Sequence, residues 1–100
     1  MSKVKAYIAH PYASNPTENK KRADKIVRKI RKFHPDVLPV NPLHLFSFLD
    51  GDGDMREDIM GVCLGLLEQC DELWCFGLSD GISREMDYAT EHGIPINQAD

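Results

Sequence analysis

The run Cys70-Asp71-Glu72-Leu73-Trp74-Cys75-Phe76-Gly77-Leu78-Ser79-Asp80-Gly81-Ile82-Ser83-Arg84-Glu85 constrains the fold of this chain more than any other stretch. Leu73 to Phe76 is apolar and too short for a helix of its own, so it reads as a buried strand. Gly77 and Gly81 bracket a turn, where positive φ or a close backbone approach costs least. Ser79 or Asp80 is placed to cap the helix that follows. The start of that helix presents free backbone N–H groups, a natural seat for an anion. Glu85 falls roughly one turn inside and points toward whatever binds there.

The rest of the chain supplies matching units. Val4 to Ala9 is a short apolar strand that runs into His10-Pro11-Tyr12, where Pro11 stops regular pairing. Asn15-Pro16-Thr17-Glu18 is a helix start, with Asn15 as N-cap, Pro16 in the first helical position and Glu18 placed as in a capping box. Ala23, Ile26, Val27, Ile30 and Phe33 recur at helical spacing, and Lys and Arg fill the other faces. His34-Pro35-Asp36 ends the helix. Val37 to Val40 is a second strand, and Pro39 marks it as an edge.

Asn41 to Gly53 is a long loop for so small a domain, which reads as a lid or an interface element. Asp50 to Asp54 has a superficial likeness to a calcium loop. The position that would carry the bidentate glutamate is Gly61, so that reading is rejected. A helix begins near Asp54, with Ile59, Val62, Cys63, Leu66, Leu67 and Cys70 as its apolar stripe. The Glu85 helix ends at His92-Gly93, and Ile94-Pro95-Ile96 is a last strand. The order predicts one α/β domain over residues 1–100: about four parallel strands with helices on both faces, a three-layer flavodoxin/Rossmann-like sandwich. Ligands in such sheets bind at the carboxyl ends of the strands, beside a topological switch point.

Charge is divided unevenly. Residues 1–33 carry ten Lys and Arg against two acids, whereas residues 34–100 carry two against fourteen. Aromatic residues do not interleave with the basic ones, so the basic helix reads as a solvated face rather than a nucleic-acid platform. Cys63, Cys70 and Cys75 form no CxxC pair, and no apolar run has membrane length. The expectation is a cytoplasmic protein with core cysteines, no metal, no cofactor and no membrane partner.

The convergence at one sheet edge points to chemistry. A carboxylate beside an anion seat suits attack on an electron-poor carbon, as in glycosyl transfer. Ser79, Ser83 and the helix amides would hold a phosphate, while Phe46, Phe48, Tyr12 or His44 would flank a base. Asp71 and Glu72 lie at the opposite end of their strand and read as structural.

Several blocks together resemble the nucleoside 2-deoxyribosyltransferase-like superfamily, within it a group of short, mostly uncharacterised bacterial and phage proteins. They are Tyr7 to Tyr12 with Asn19 and Ala23 behind, Asn41-Pro42-Leu43-His44, Cys70 to Trp74, and the spacing Gly81, Glu85, Ala89. The resemblance implies that Glu85 is the nucleophile taking the deoxyribosyl group and that Tyr7 is the aromatic near the sugar. Six places before Glu85 stands Ser79, which resembles the nucleotide-cleaving relatives rather than the nucleoside transferases, where an Asp stands. A hydroxyl accepts a phosphate dianion that a carboxylate would repel.

Two positions depart from the pattern. Cys63 stands where the superfamily often has a catalytic Asp, and Asp87 where many relatives have Gly. Asp54, Glu57 or Asp58 would then have to serve as general acid, and Asp58 is taken as the candidate. The expected site therefore comprises Glu85, Tyr7 and Asp58 for catalysis. His10, Pro11, Tyr12, His44, Gly77, Ser79, Gly81 and Ser83 would bind substrate. The expected ligand is a small nucleotide, and the expected assembly a homodimer or higher homo-oligomer.

Overall fold

The computed structural model describes residues 3–12, 15–43 and 55–99. The chain runs β1 (Val4–Ala9), α1 (Pro16–Phe33), β2 (Val37–Val40), α2 (Arg56–Glu68), β3 (Glu72–Phe76), α3 (Asp80–Glu91) and β4 (Ile96–Ala99). The strands form one parallel sheet in the order β2-β1-β3-β4, so β2, with Pro39, is an edge as expected. Strand alternation divides the core in two. Ala6 and Ile8 of β1 join Ile30 of α1 on one face, with Trp74 and Phe76 of β3 half-buried beside them. Tyr7 and Ala9 join Leu73 and Cys75 of β3 on the other face, under Ile59, Cys63 and Leu67 of α2 and Ile82 and Ala89 of α3. This is the three-layer α/β sandwich that the alternation of elements predicts.

Local chemistry sets the helix ends. The Asn15 side chain accepts from the Glu18 amide at 3.3 Å, with Pro16 at the first position. Glu18 in the first turn of α1 and Arg31 and Lys32 in the last complement the helix dipole. Phe33, expected on the apolar stripe, is 67% exposed in the final turn, its ring 5.4 Å from Lys32 Nζ. In α2 the buried residues are Ile59, Met60, Cys63 and Leu67. That face turns Val62, also expected inward, about a third of a revolution away, and Val62 is 55% exposed.

The last strand starts two residues later than expected. Gly93, at φ 68°, ends α3, and the Ile94 amide is spent on the Ala89 carbonyl at 2.8 Å. Pro95 has no amide to give but accepts from Leu73 N at 2.9 Å, and regular pairing begins at Ile96 opposite Leu73. Asp71 and Glu72 hold the amino end of β3, as expected. Asp71 Oδ2 accepts from the Lys5 amide at 2.8 Å, and Glu72 Oε1 accepts from Trp74 Nε1 at 3.0 Å. Cys63, Cys70 and Cys75 are free thiols in the core. Among the described residues no helix is long and apolar enough to cross a membrane.

Candidate functional site

β1 connects outward to β2, whereas the chain then crosses back to β3 on the other side of β1. The carboxyl ends of β1 and β3 therefore flank the switch point, where connections diverge and leave a crevice. A cavity of about 450 Å³ opens there. Ala9, His10, Pro11 and Tyr12 wall one side, and Leu78 to Ile82 with Arg84 and Glu85 wall another. Pro42, Leu43, Arg56, Glu57 and Met60 complete it.

The loop after β1 is pinned from two sides. Asn19, buried on α1, donates from Nδ2 to the Tyr12 carbonyl at 3.2 Å. His10 donates from Nδ1 to the Pro11 carbonyl at 2.8 Å, since a carbonyl only accepts, and this places the proton of the neutral ring on Nδ1. Gly77 has φ 98°, and a Cβ there would lie 3.2 Å from Pro11 Cγ. Only glycine lets the turn after β3 take that conformation with Pro11 so close.

Glu85 projects from α3 to the cavity wall and is only 7% exposed. Its polar neighbours are the Tyr7 hydroxyl and the Cys63 thiol. Burial raises the Glu85 carboxyl from 4.5 to about 7, against a smaller lowering by the Tyr7 hydroxyl. Tyr7 is fully buried next to Glu85, and its hydroxyl makes no aligned hydrogen bond among the described residues. Burial, then the nearby Glu85 charge, pushes its ionisation far above the ordinary phenol range. The two groups are thus close enough to bias each other's titration without reaching hydrogen-bond geometry. Cys63 and Cys75 are each pushed up to about 11, first by burial, with the Glu85 charge adding to it. Both are neutral thiols at pH 7.

Two helices begin at this cavity. Ser79 caps α3, its Oγ accepting from the Ile82 amide at 3.1 Å. The amides of Asp80 and Gly81 have no acceptor within the helix, so they are the donors left for a ligand. α2 starts after Met55 with no side-chain cap. Across the mouth, Arg84 of α3 makes a bidentate pair with Glu57 of α2, at 2.8 and 3.0 Å. The arrangement combines a protonatable carboxyl on the floor, two helix starts and two guanidinium groups on the rim, and apolar walls from Met60, Leu43 and Leu78.

Of the residues expected from the sequence, Glu85, His10, Pro11, Tyr12, Ser79 and Gly81 line the cavity. Tyr7 is not on the wall but is fully buried next to Glu85, and Gly77 shapes the wall through Pro11. Asp58 and Ser83 are exposed and are not on the cavity wall; Glu57, the residue before Asp58, is. His44, Phe46, Phe48 and the acidic run ending at Asp54 lie outside the described residues. Arg56 and Arg84 were not singled out by sequence. The signal for Arg84 was its place beside Glu85, one helical step nearer the mouth. Among the described residues no group of three or more His, Cys, Asp or Glu side chains has the grouping to hold a metal.

A crystal structure of a conserved protein from Enterococcus faecalis V583 is similar, with a TM-score of 0.75 over 97% of this chain at 19% identity. This chain spans 63% of that one. At such identity the likeness speaks for the fold. No curated protein matches the chain. A family described as a domain of unknown function (DUF7768) matches residues 4–99. That match takes in every element from β1 to β4 and the whole cavity wall, and the chain therefore belongs to the DUF7768 family.

Proposed function

We propose that the protein acts on the N-glycosidic bond of a nucleoside or deoxynucleoside 5′-monophosphate, with Glu85 as nucleophile. The observation that carries this reading is the Glu85 carboxyl, buried on the wall of a cavity at the switch point, one turn inside a capped helix start. The likeness of the sequence blocks to nucleoside 2-deoxyribosyltransferase-like proteins supports the same assignment. In this chemistry a Glu85 oxygen bonds to C1′ of the sugar as the C1′–N bond breaks, and the departing base takes up a proton from water. Water, or the nitrogen of a second base, then attacks C1′ and releases the carboxylate. Tyr7, neutral at working pH, lies beside the carboxylate, and its hydroxyl favours the ionised form without an aligned hydrogen bond. Ser79 and the first amides of α3 take the phosphate. Three buried thiols agree with a reducing cytoplasmic setting.

The test is incubation with a panel of 5′-monophosphates, following free base by chromatography, with Glu85→Gln alongside. Release by the wild type alone supports the reading. A second reading, nucleotide binding without turnover, is favoured by one observation. Cys63, a neutral thiol, occupies the position facing Glu85 that an acid holds in the proteins the sequence resembles. Thermal stabilisation by a monophosphate with no base released supports this second reading.

A further inference from the structure

The Arg84–Glu57 pair closes one side of the cavity mouth, and nothing in the fold requires it. Both side chains are largely exposed, at 47% and 80%. An exposed pair of this kind contributes little to folding, because water screens it and two long side chains must be held in one geometry. Its geometry is nonetheless the bidentate fork by which guanidinium groups recognise carboxylates and phosphates alike. It also lies where the starts of α2 and α3 meet, above a buried Glu85 that faces the cavity. A dianion entering this mouth meets the amides of Asp80 and Gly81, the Ser79 cap and Arg56, but it is opposed by the Glu57 carboxylate.

We infer that Arg84 is a phosphate-selecting residue held in reserve by Glu57. Glu57 occupies its fork in this structure, and a phosphate dianion takes over both N–H contacts when substrate binds. The exchange is inexpensive because the pair it breaks is solvent-exposed, whereas the pair it forms is charge-assisted, bidentate and backed by two helix starts. This inference rests on the nucleotide reading for its substrate class. It adds the residue that distinguishes a phosphorylated ligand from a free nucleoside. Glu57 acts through Arg84 and is a positioning residue.

Titration calorimetry on the intact chain provides the test, with the four common deoxynucleoside 5′-monophosphates, the matching deoxynucleosides and inorganic phosphate as probes. Arg84→Met is expected to weaken monophosphate binding by roughly tenfold or more and to leave nucleoside binding within about twofold. Arg84→Lys is expected to recover only part of that loss, as an ammonium has no fork. Glu57→Gln is expected to tighten monophosphate and inorganic phosphate binding by about threefold, by freeing the guanidinium and removing a repulsive charge. Circular dichroism of each variant establishes that it is folded. Monophosphate affinity unchanged in folded Arg84→Met overturns the inference and leaves the nucleotide reading standing. Inorganic phosphate bound through Arg84, with no nucleotide bound, supports the inference and overturns the nucleotide reading. Neither probe bound overturns both.

Discussion

The Glu85 carboxyl on the cavity wall and the Tyr7 hydroxyl are neighbours, both buried, and neither completes an aligned hydrogen bond with the other. One comes from α3 and the other from the centre of the sheet, so strand alternation on β1 and helix phase on α3 must both be right for them to meet. A half-satisfied polar pair in such a place lowers stability.

That cost gives the first prediction. The folded-state value of Glu85, about 7, lies above its usual 4.5. Below the lower value the carboxyl is neutral in both folded and unfolded chains. Between the two, the folded protein binds the proton more tightly, so stability falls as pH rises and levels off above about 7. Glu85→Gln is therefore expected to be more stable than the wild type at pH 8.5 by about 2–3 kcal/mol, and near equal at pH 4.5. Urea denaturation at the two pH values checks this. A Gln variant less stable than wild type at pH 8.5 contradicts it.

Tyr7→Phe removes a buried hydroxyl that has no aligned partner. At pH 5 its stability is expected to be unchanged or raised by up to about 1 kcal/mol. Because the hydroxyl lowers the Glu85 value, its loss moves the Glu85 titration to higher pH. Carbon-detected NMR of the labelled carboxyl reads that shift, and a downward shift would count against the contact.

Gly77→Ala places a methyl group on a residue at φ 98°, 3.2 Å from Pro11 Cγ. A loss of about 1–3 kcal/mol is expected. Gly61→Ala on α2 meets nothing within 4 Å and has no positive φ, so a gain of up to about 1 kcal/mol is expected. Thermal melts of the two variants should move in opposite directions, and a shared sign would contradict the turn geometry.

Ser79 both caps α3 and faces the cavity. Ser79→Ala is expected to cost about 1 kcal/mol through the lost cap. Ser79→Asp keeps a capping oxygen and places a negative charge on the anion seat. It is expected to melt within a few degrees of the wild type while losing stabilisation by deoxynucleoside monophosphates. Retained ligand stabilisation in Ser79→Asp would remove Ser79 from the proposed phosphate site.

Much of this molecule is legible in its sequence, for identifiable reasons. The N-cap at Asn15, the cap at Ser79, the break at Gly93 and the edge position of Pro39 each rest on one residue's backbone chemistry, and each stands where expected. Glu85 is read from its distance to a capped start, which is local. The last strand is misplaced because the Ile94 amide goes to Ala89, a choice made by the helix end rather than by strand propensity. Val62 is misplaced because the α2 stripe centres on Met60 and Cys63, and spacing alone leaves that phase ambiguous. The Arg84–Glu57 pair joins residues from two helices that the sequence leaves at an unknown angle. Asp58 and Glu57 differ only by one helical step, about 100° of rotation, and that step decides which of them reaches the cavity.

The central proposal is that Glu85 attacks the sugar. The most direct measurement is free base released from deoxynucleoside 5′-monophosphates at pH 8, by wild type and by Glu85→Gln, together with intact-mass analysis of the protein during turnover. Base release and a deoxyribose phosphate adduct are expected on wild type, with both absent in a folded Glu85→Gln. Base release by Glu85→Gln at the wild-type rate would contradict it.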